Sequence, residues 1–219
     1  QFAGGERSIG WSDIWQAIID PVNSDNCGGT DLVDCDEEVG NQIASITNRF
    51  DFSVFDTPVS LYFEYAGEDT KDHKNYQLGN LAYTYGVFLP YLTDASSLYF
   101  EYSDYHSHWY VHHLYDEGYR NDGTIMGHWW ANDRVADDRV GGTTMNLRYN
   151  LDIEDFGHLT AKAKYIKLDE STKADYQAGR ELEVSYTQTY KNGFIGVSLI
   201  NKKNVYGDSF NRISFSYNW

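Results

Sequence analysis

Thr143-Thr144-Met145-Asn146-Leu147-Arg148-Tyr149-Asn150-Leu151 puts Met145, Leu147, Tyr149 and Leu151 on one side of an extended chain and Asn146, Arg148 and Asn150 on the other. Successive side chains of a strand point to opposite faces, so this spacing predicts a strand with one wet face. The same alternation separates Phe50, Phe52 and Val54 from Arg49, Asp51 and Ser53, and Leu61, Phe63 and Tyr65 from Ser60, Tyr62 and Glu64. It separates Leu159, Ala161 and Ala163 from Thr160, Lys162 and Lys164, and Ile213, Phe215, Tyr217 and Trp219 from Arg212, Ser214, Ser216 and Asn218. Nine strands are predicted, near 44–55, 59–66, 78–92, 97–106, 139–151, 158–168, 178–190, 194–204 and 209–219.

In a soluble sandwich the apolar face would be the core. Here the polar faces carry full charges of both signs and the apolar faces end in aromatics. Long strands of about ten residues, an outward apolar band and aromatic girdles are the marks of a transmembrane antiparallel β-barrel. The mean hydropathy of −0.58 is compatible with that, because half of each strand faces a polar lumen. Glu64, Glu101, Arg148, Lys162, Lys164, Glu181, Glu183 and Arg212 are expected on the lumen side, bracing neighbouring strands through opposed charges.

The 219 residues carry 17 Lys+Arg against 33 Asp+Glu, a net charge of −16. Nucleic-acid binding is excluded as the leading class, because it draws on basic patches that neutralise phosphates. Aromatics make up 16% of the chain, which rules out disorder. No apolar run approaches the roughly 20 residues of a spanning helix. Cys27 and Cys35 bracket a polar, glycine-containing loop with no histidine near in sequence. A disulfide fits better than free thiols or a zinc site, and it implies an oxidising compartment.

Outer-membrane barrels alternate short periplasmic turns with long extracellular loops. Read backwards from Trp219, the short connections are 191–193, 153–157, 93–96 and 56–58, and the longer ones are 169–177, 107–138 and 67–77. The connection near 206–209 is the short exception on the outer side. The closing Phe215-Ser216-Tyr217-Asn218-Trp219 resembles the C-terminal signal of bacterial outer-membrane barrels and sets the orientation. Residues 1–43 then form an extracellular loop region, and 44–219 the barrel strands with a long extracellular loop at 107–138. Single-chain bacterial barrels have even strand counts, so nine strands predict the C-terminal part of a longer chain; the alternative is a tenth strand within 1–19.

Leu98-Tyr99-Phe100-Glu101-Tyr102-Ser103-Asp104 runs into Tyr110-Val111-His112-His113-Leu114-Tyr115, Gly118-Tyr119-Arg120, the stretch GTIMGH from Gly123 to His128, and Asn132-Asp133. This order resembles the central signature of the Wzi family of capsule assembly proteins, with its E-Y-(T/S)-D strand followed by Y-x-H-H-x-Y, G-Y and G-H elements. Upstream, LYFEYAGED from Leu61 to Asp69 resembles that family's strand ending in G-E-D. The resemblance covers about residues 40–150 and departs at Trp129-Trp130 and in the acidic stretch from Cys27 to Glu38. It implies a roughly 18-stranded outer-membrane β-barrel, an even count as expected, of which nine strands would be the C-terminal half. It also implies that the protein binds or anchors capsular or extracellular polysaccharide at the cell surface, without catalysis.

On that reading the candidate polysaccharide-binding residues are Trp109, Tyr110, Tyr115, Asp116, Tyr119, Arg120, Trp129, Trp130 and Asp133. Flat aromatic faces with polar edges suit sugar rings, and directed hydrogen bonds fix orientation. The expected partners are surface polysaccharide, outer-membrane lipid and lipopolysaccharide, and the barrel-assembly machinery during biogenesis. The acidic balance disfavours a polyanionic glycan unless divalent cations bridge the two.

His106, His108, His112, His113 and His128 with Asp104, Asp116 and Asp133 form a divalent-metal ligand set by type. Adjacent His112 and His113 point to opposite faces of any strand, so hydrogen bonding and packing are the expected roles, and neither metal nor cofactor is expected. No G-x-S-x-G elbow or H-E-x-x-H occurs, so no catalytic residue is assigned. The alternative function is an outer-membrane porin or selective channel for small solutes, which rests on architecture alone.

Overall fold

The computed structural model describes residues 10–19, 43–68, 70–71, 74–109, 120–121, 124–125, 134–135, 138–154 and 156–219. Nine long strands form one antiparallel sheet in sequential order: β1 (Ile43–Val54), β2 (Thr57–Glu68), β3 (Leu81–Thr93), β4 (Ser96–Tyr105), β5 (Gly142–Ile153), β6 (Gly157–Leu168), β7 (Gly179–Tyr190), β8 (Gly193–Lys203) and β9 (Ser209–Asn218). These match the nine predicted strands, with ends displaced by a few residues. Two short hairpins, Thr70–Lys71 with Lys74–Leu78 and Arg120–Asn121 with Thr124–Ile125, lie within the longer connections. A helix, α1 (Trp11–Ile19), occupies part of the region read as loop. Residues 11–19 therefore do not supply a tenth strand. Among the described residues no helix is long and apolar enough to cross a membrane.

Alternate connections are tight. Phe55 and Asp56 turn β1 into β2 with φ of 47° and 64°, the left-handed pair of a two-residue hairpin loop whose twist suits the flanking strands. Asp94-Ala95 and Lys191-Asn192 make equally short turns at the same end. The opposite end carries the longer connections 69–80, 106–141 and 169–178 and the short 204–208. The sheet thus has a turn end and a loop end.

Register decides which residues share a face. One row across the sheet is Arg49, Tyr62, Gly86, Glu101, Asn146, Lys164, Glu181, Lys202 and Phe210; the next is Asp51, Ser60, Phe88, Tyr99, Arg148, Lys162, Glu183, Ile200 and Arg212. All eight residues expected to face the lumen therefore lie on one face. The opposite face reads Phe50, Leu61, Val87, Phe100, Leu147, Ala163 and Leu182 in a single row. Its large side chains are open to the surroundings, with Phe50, Leu61, Leu147, Leu182, Leu199 and Ile213 all exposed. An apolar wall of this extent suits lipid and not water.

The apolar band is also staggered. Its last outward residue toward the loop end is Tyr65 on β2, Tyr165 on β6, Leu182 on β7 and Leu199 on β8, so the edge steps down by successive register positions. A membrane plane cutting tilted strands produces that drift, as barrel closure requires. The architecture is that of a β-barrel wall.

Candidate functional site

The packed apolar interior lies at the loop end of the polar face. Ala66 from β2, Tyr105 from β4, and Ile166 and Leu168 from β6 end inward rows there. Trp109 and Val140 from the 106–141 connection and Val205 from 204–208 bury against them, with Tyr176 from 169–178 packed alongside. Val205 is 0% exposed and Trp109 6%. Three connections thus converge as a cap over the lumenal side of the sheet.

Polar groups lock this cap. Buried Arg134 donates to the carbonyls of Trp109 at 3.0 Å and Val140 at 3.3 Å. Buried Asp138 accepts from Ser171 Oγ at 2.9 and 2.8 Å and from Tyr176 OH at 2.6 Å. Tyr176 OH accepts in turn from the Val135 amide at 3.0 Å. Backbone bonds from Asp169 to Gly141 at 3.0 Å and from Gln177 to Val205 at 2.7 Å complete the tie. Burial first, and then the bond to the Asp138 carboxylate, push the Tyr176 hydroxyl well above the ordinary tyrosine value. It stays a neutral donor, which is the form the cap uses.

Below the cap, the inward wall holds an aromatic cluster. The rings of Tyr62 and Tyr99 stack with centroids 6.2 Å apart and 21° between planes. Both hydroxyls donate to Glu101 Oε2, at 2.5 and 2.6 Å. Arg148 Cζ sits 5.2 Å from the Tyr99 ring centroid, within cation–π range. Tyr62 lies across β3 because position 86 is glycine: a Cβ there would meet the Tyr62 ring carbons at 1.9 and 2.1 Å. Of this cluster, Glu101 and Arg148 were expected on the lumen side, and Tyr62 and Tyr99 were not singled out from sequence. A tyrosine on a polar-face position with a glycine opposite, in the middle of a strand, is the signal that could have found it.

Toward β7, Lys162 pairs with Glu183 at 3.2 Å, Lys164 with Glu181 at 3.0 Å and Lys202 with Glu181 at 3.7 Å. These are cross-strand neighbours, so the bracing expected of lumen charges is present here. At the turn end, His158 Nδ1 lies 2.7 Å from Asp152 Oδ1, and its Nε2 3.1 Å from Thr160 Oγ1.

The candidate polysaccharide ligands separate. Trp109 is in the cap interior, its ring buried and its carbonyl held by Arg134. Arg120 is paired through its backbone with Ile125 in the small hairpin. Tyr110, Tyr115, Asp116, Tyr119, Trp129, Trp130 and Asp133 lie outside the described residues, as do Cys27, Cys35, His112, His113 and His128. His106 and His108 stack with ring centroids 5.5 Å apart. Among the described residues no group of three or more His, Cys, Asp or Glu is arranged to hold a metal ion.

Comparison with known proteins agrees with the architecture. No curated protein matches the chain in sequence. Among solved structures, Wzi of Escherichia coli, described as an outer-membrane protein involved in group 1 capsule assembly and as a carbohydrate-binding β-barrel, superposes with a TM-score of 0.60 at 15% identity. The match covers 99% of this chain and 45% of that one, so the chain spans less than half the length of the protein it matches. At that identity the likeness carries the fold alone. The family of capsule assembly protein Wzi matches residues 1–204, and with nearly the whole sequence accounted for, the chain belongs to the capsule assembly protein Wzi family.

Proposed function

We propose that this protein holds capsular or other long-chain polysaccharide at the bacterial outer membrane, with its loop end outside, and acts by binding and not by catalysis. Family membership over residues 1–204 carries the reading. The convergence of three connections into a hydrogen-bonded cap supports it, because a binding platform needs rigid support beneath its contact residues. Trp109 and Arg134 are that support. The contact residues would be Tyr110, Tyr115, Asp116, Tyr119, Arg120, Trp129, Trp130 and Asp133, on the connection that the cap anchors at both ends. A cap over the lumenal side also fits an anchor better than a channel, which needs an open constriction.

Lipid, lipopolysaccharide and the barrel-assembly machinery are the partners that this location requires, and a Cys27–Cys35 disulfide suits the oxidising side of the envelope. The test is the partition of surface polysaccharide between cells and medium, with and without the gene. On deletion, polymer should still be made but shed, and substitutions at Trp129, Trp130 and Tyr119 should reproduce the shedding. An unchanged partition with reduced uptake of small solutes would overturn anchoring in favour of the channel.

A further inference from the structure

The outward face of the nine strands is nearly free of charge. Register places only Asp104, Lys167, Arg180 and Lys203 there among Asp, Glu, Lys and Arg, all at the loop end. Three of these are cations on the adjacent strands β6, β7 and β8, in a chain whose net charge is −16. Lys167 is the first outward position beyond Tyr165, and Arg180 the first beyond Leu182, so both sit just past the edge of the apolar band. Lys203 stands directly opposite Arg180, and its Nζ is held by Gln177 Oε1 at 2.9 Å.

The pairing is unlike that of the other face. Inward, the same strands set Lys162 against Glu183 and Lys164 against Glu181. Outward, Arg180 faces Lys203, and like charges directly opposite are destabilising. Among the described residues neither Lys167 nor Arg180 has a carboxylate within ion-pair distance. An anion from the surroundings would offset this repulsion, at the height where the apolar band ends. Arg and Lys clusters recognise phosphate through charge-assisted hydrogen bonds.

We propose that Lys167, Arg180 and Lys203 form a site on the lipid-facing wall for the phosphate groups of a phosphorylated glycolipid of the outer leaflet. The inference rests on the proposed orientation with the loop end outside, and on no aspect of polysaccharide binding. The glycolipid would lie with its acyl chains along Leu182, Ala163 and Leu199 and its phosphates at the three cations. Tyr165 marks the boundary between them, as aromatic girdles do.

The test uses the protein purified in detergent, with three probes: bisphosphorylated lipid A, the same lipid without phosphates, and inorganic phosphate. A triple variant Lys167→Gln, Arg180→Gln, Lys203→Gln should bind bisphosphorylated lipid A on the order of 100-fold more weakly, since each cation near an anionic membrane surface contributes roughly a factor of five. The inward pair Lys162→Gln, Lys202→Gln should leave that binding unchanged, and the phosphate-free lipid should bind the natural protein as weakly as the triple variant does. Equal binding by triple variant and natural protein would overturn the site. Displacement of lipid A by inorganic phosphate at equal concentration would overturn the lipid as its source. The variant Glu170→Cys, at an exposed position of the loop end, tests the orientation separately with an impermeant maleimide on intact cells. Labelling there with no lipid effect sinks this inference alone; labelling only after lysis sinks the orientation and the site together.

Discussion

The inward and outward faces of strands β5 to β8 share one backbone and one hydrogen-bond ladder, yet follow opposite rules. Inward, Lys162 meets Glu183 and Lys164 meets Glu181 at cross-strand distance; outward, Leu147, Leu182 and Leu199 stand exposed. The first face is built for polar surroundings and the second for lipid. Moving one residue along a strand therefore changes the solvent and with it the chemistry that stabilises.

The sharpest way to break this comparison is to place a charge on the wrong face. Leu147→Arg, in the middle of the outward band, should cost about 2–4 kcal/mol and impair membrane insertion, whereas Ser185→Arg on the inward face should cost far less. Folding into lipid vesicles, followed by denaturant titration, reads both. Equal costs would mean that the outward face does not meet lipid.

A smaller effect is expected at Gly86. Gly86→Ala forces the Tyr62 ring off Glu101 and should cost about 1–3 kcal/mol by overpacking. Adding Tyr62→Ala should recover part of that loss, so a double-mutant cycle with non-additivity checks the contact. Strict additivity would show that the glycine answers to something other than Tyr62.

The cap offers a comparison within the inward face. Asp138→Ala removes the acceptor for Ser171 and Tyr176 and should weaken the cap by about 1–3 kcal/mol. Hydrogen exchange should rise in 138–141 and 169–178 while strands β5 and β6 stay protected. By contrast, Lys164→Gln should shift stability by only about 0.2–1 kcal/mol, as expected for one cross-strand pair.

The gentlest probe is pH. Tyr176 holds its proton more tightly folded than unfolded, so its contribution is complete below the ordinary tyrosine value of 10.0 and is lost as pH rises through the higher folded value. Tyrosinate absorbance of the natural protein minus that of Tyr176→Phe should show this group titrating above the ordinary tyrosine value, with the cap loosening only at that point.

How much of this was legible beforehand follows from the range of each interaction. Period-two alternation is local, so the nine strands, their inward and outward residues and the alternation of turns with loops could be read from the sequence. The helix at Trp11–Ile19 was missed because nine residues of mixed apolar character lie in a stretch read whole as loop. Trp109 was legible as an aromatic in a long loop, but not as buried, since burial there depends on Val140 and Val205 arriving from distant positions. The same holds for the buried Arg134 and Asp138.

The sequence by itself determined the barrel wall: which residues alternate, which face carries charge, and where the chain turns. Only the tertiary structure decided register and closure of the loops. Register set Lys164 against Glu181 inside, Arg180 against Lys203 outside, and Tyr62 across Gly86; loop packing joined Arg134 to Trp109 and Asp138 to Tyr176. These pairings join residues far apart in the chain, and no local pattern specifies which distant partner a side chain will meet.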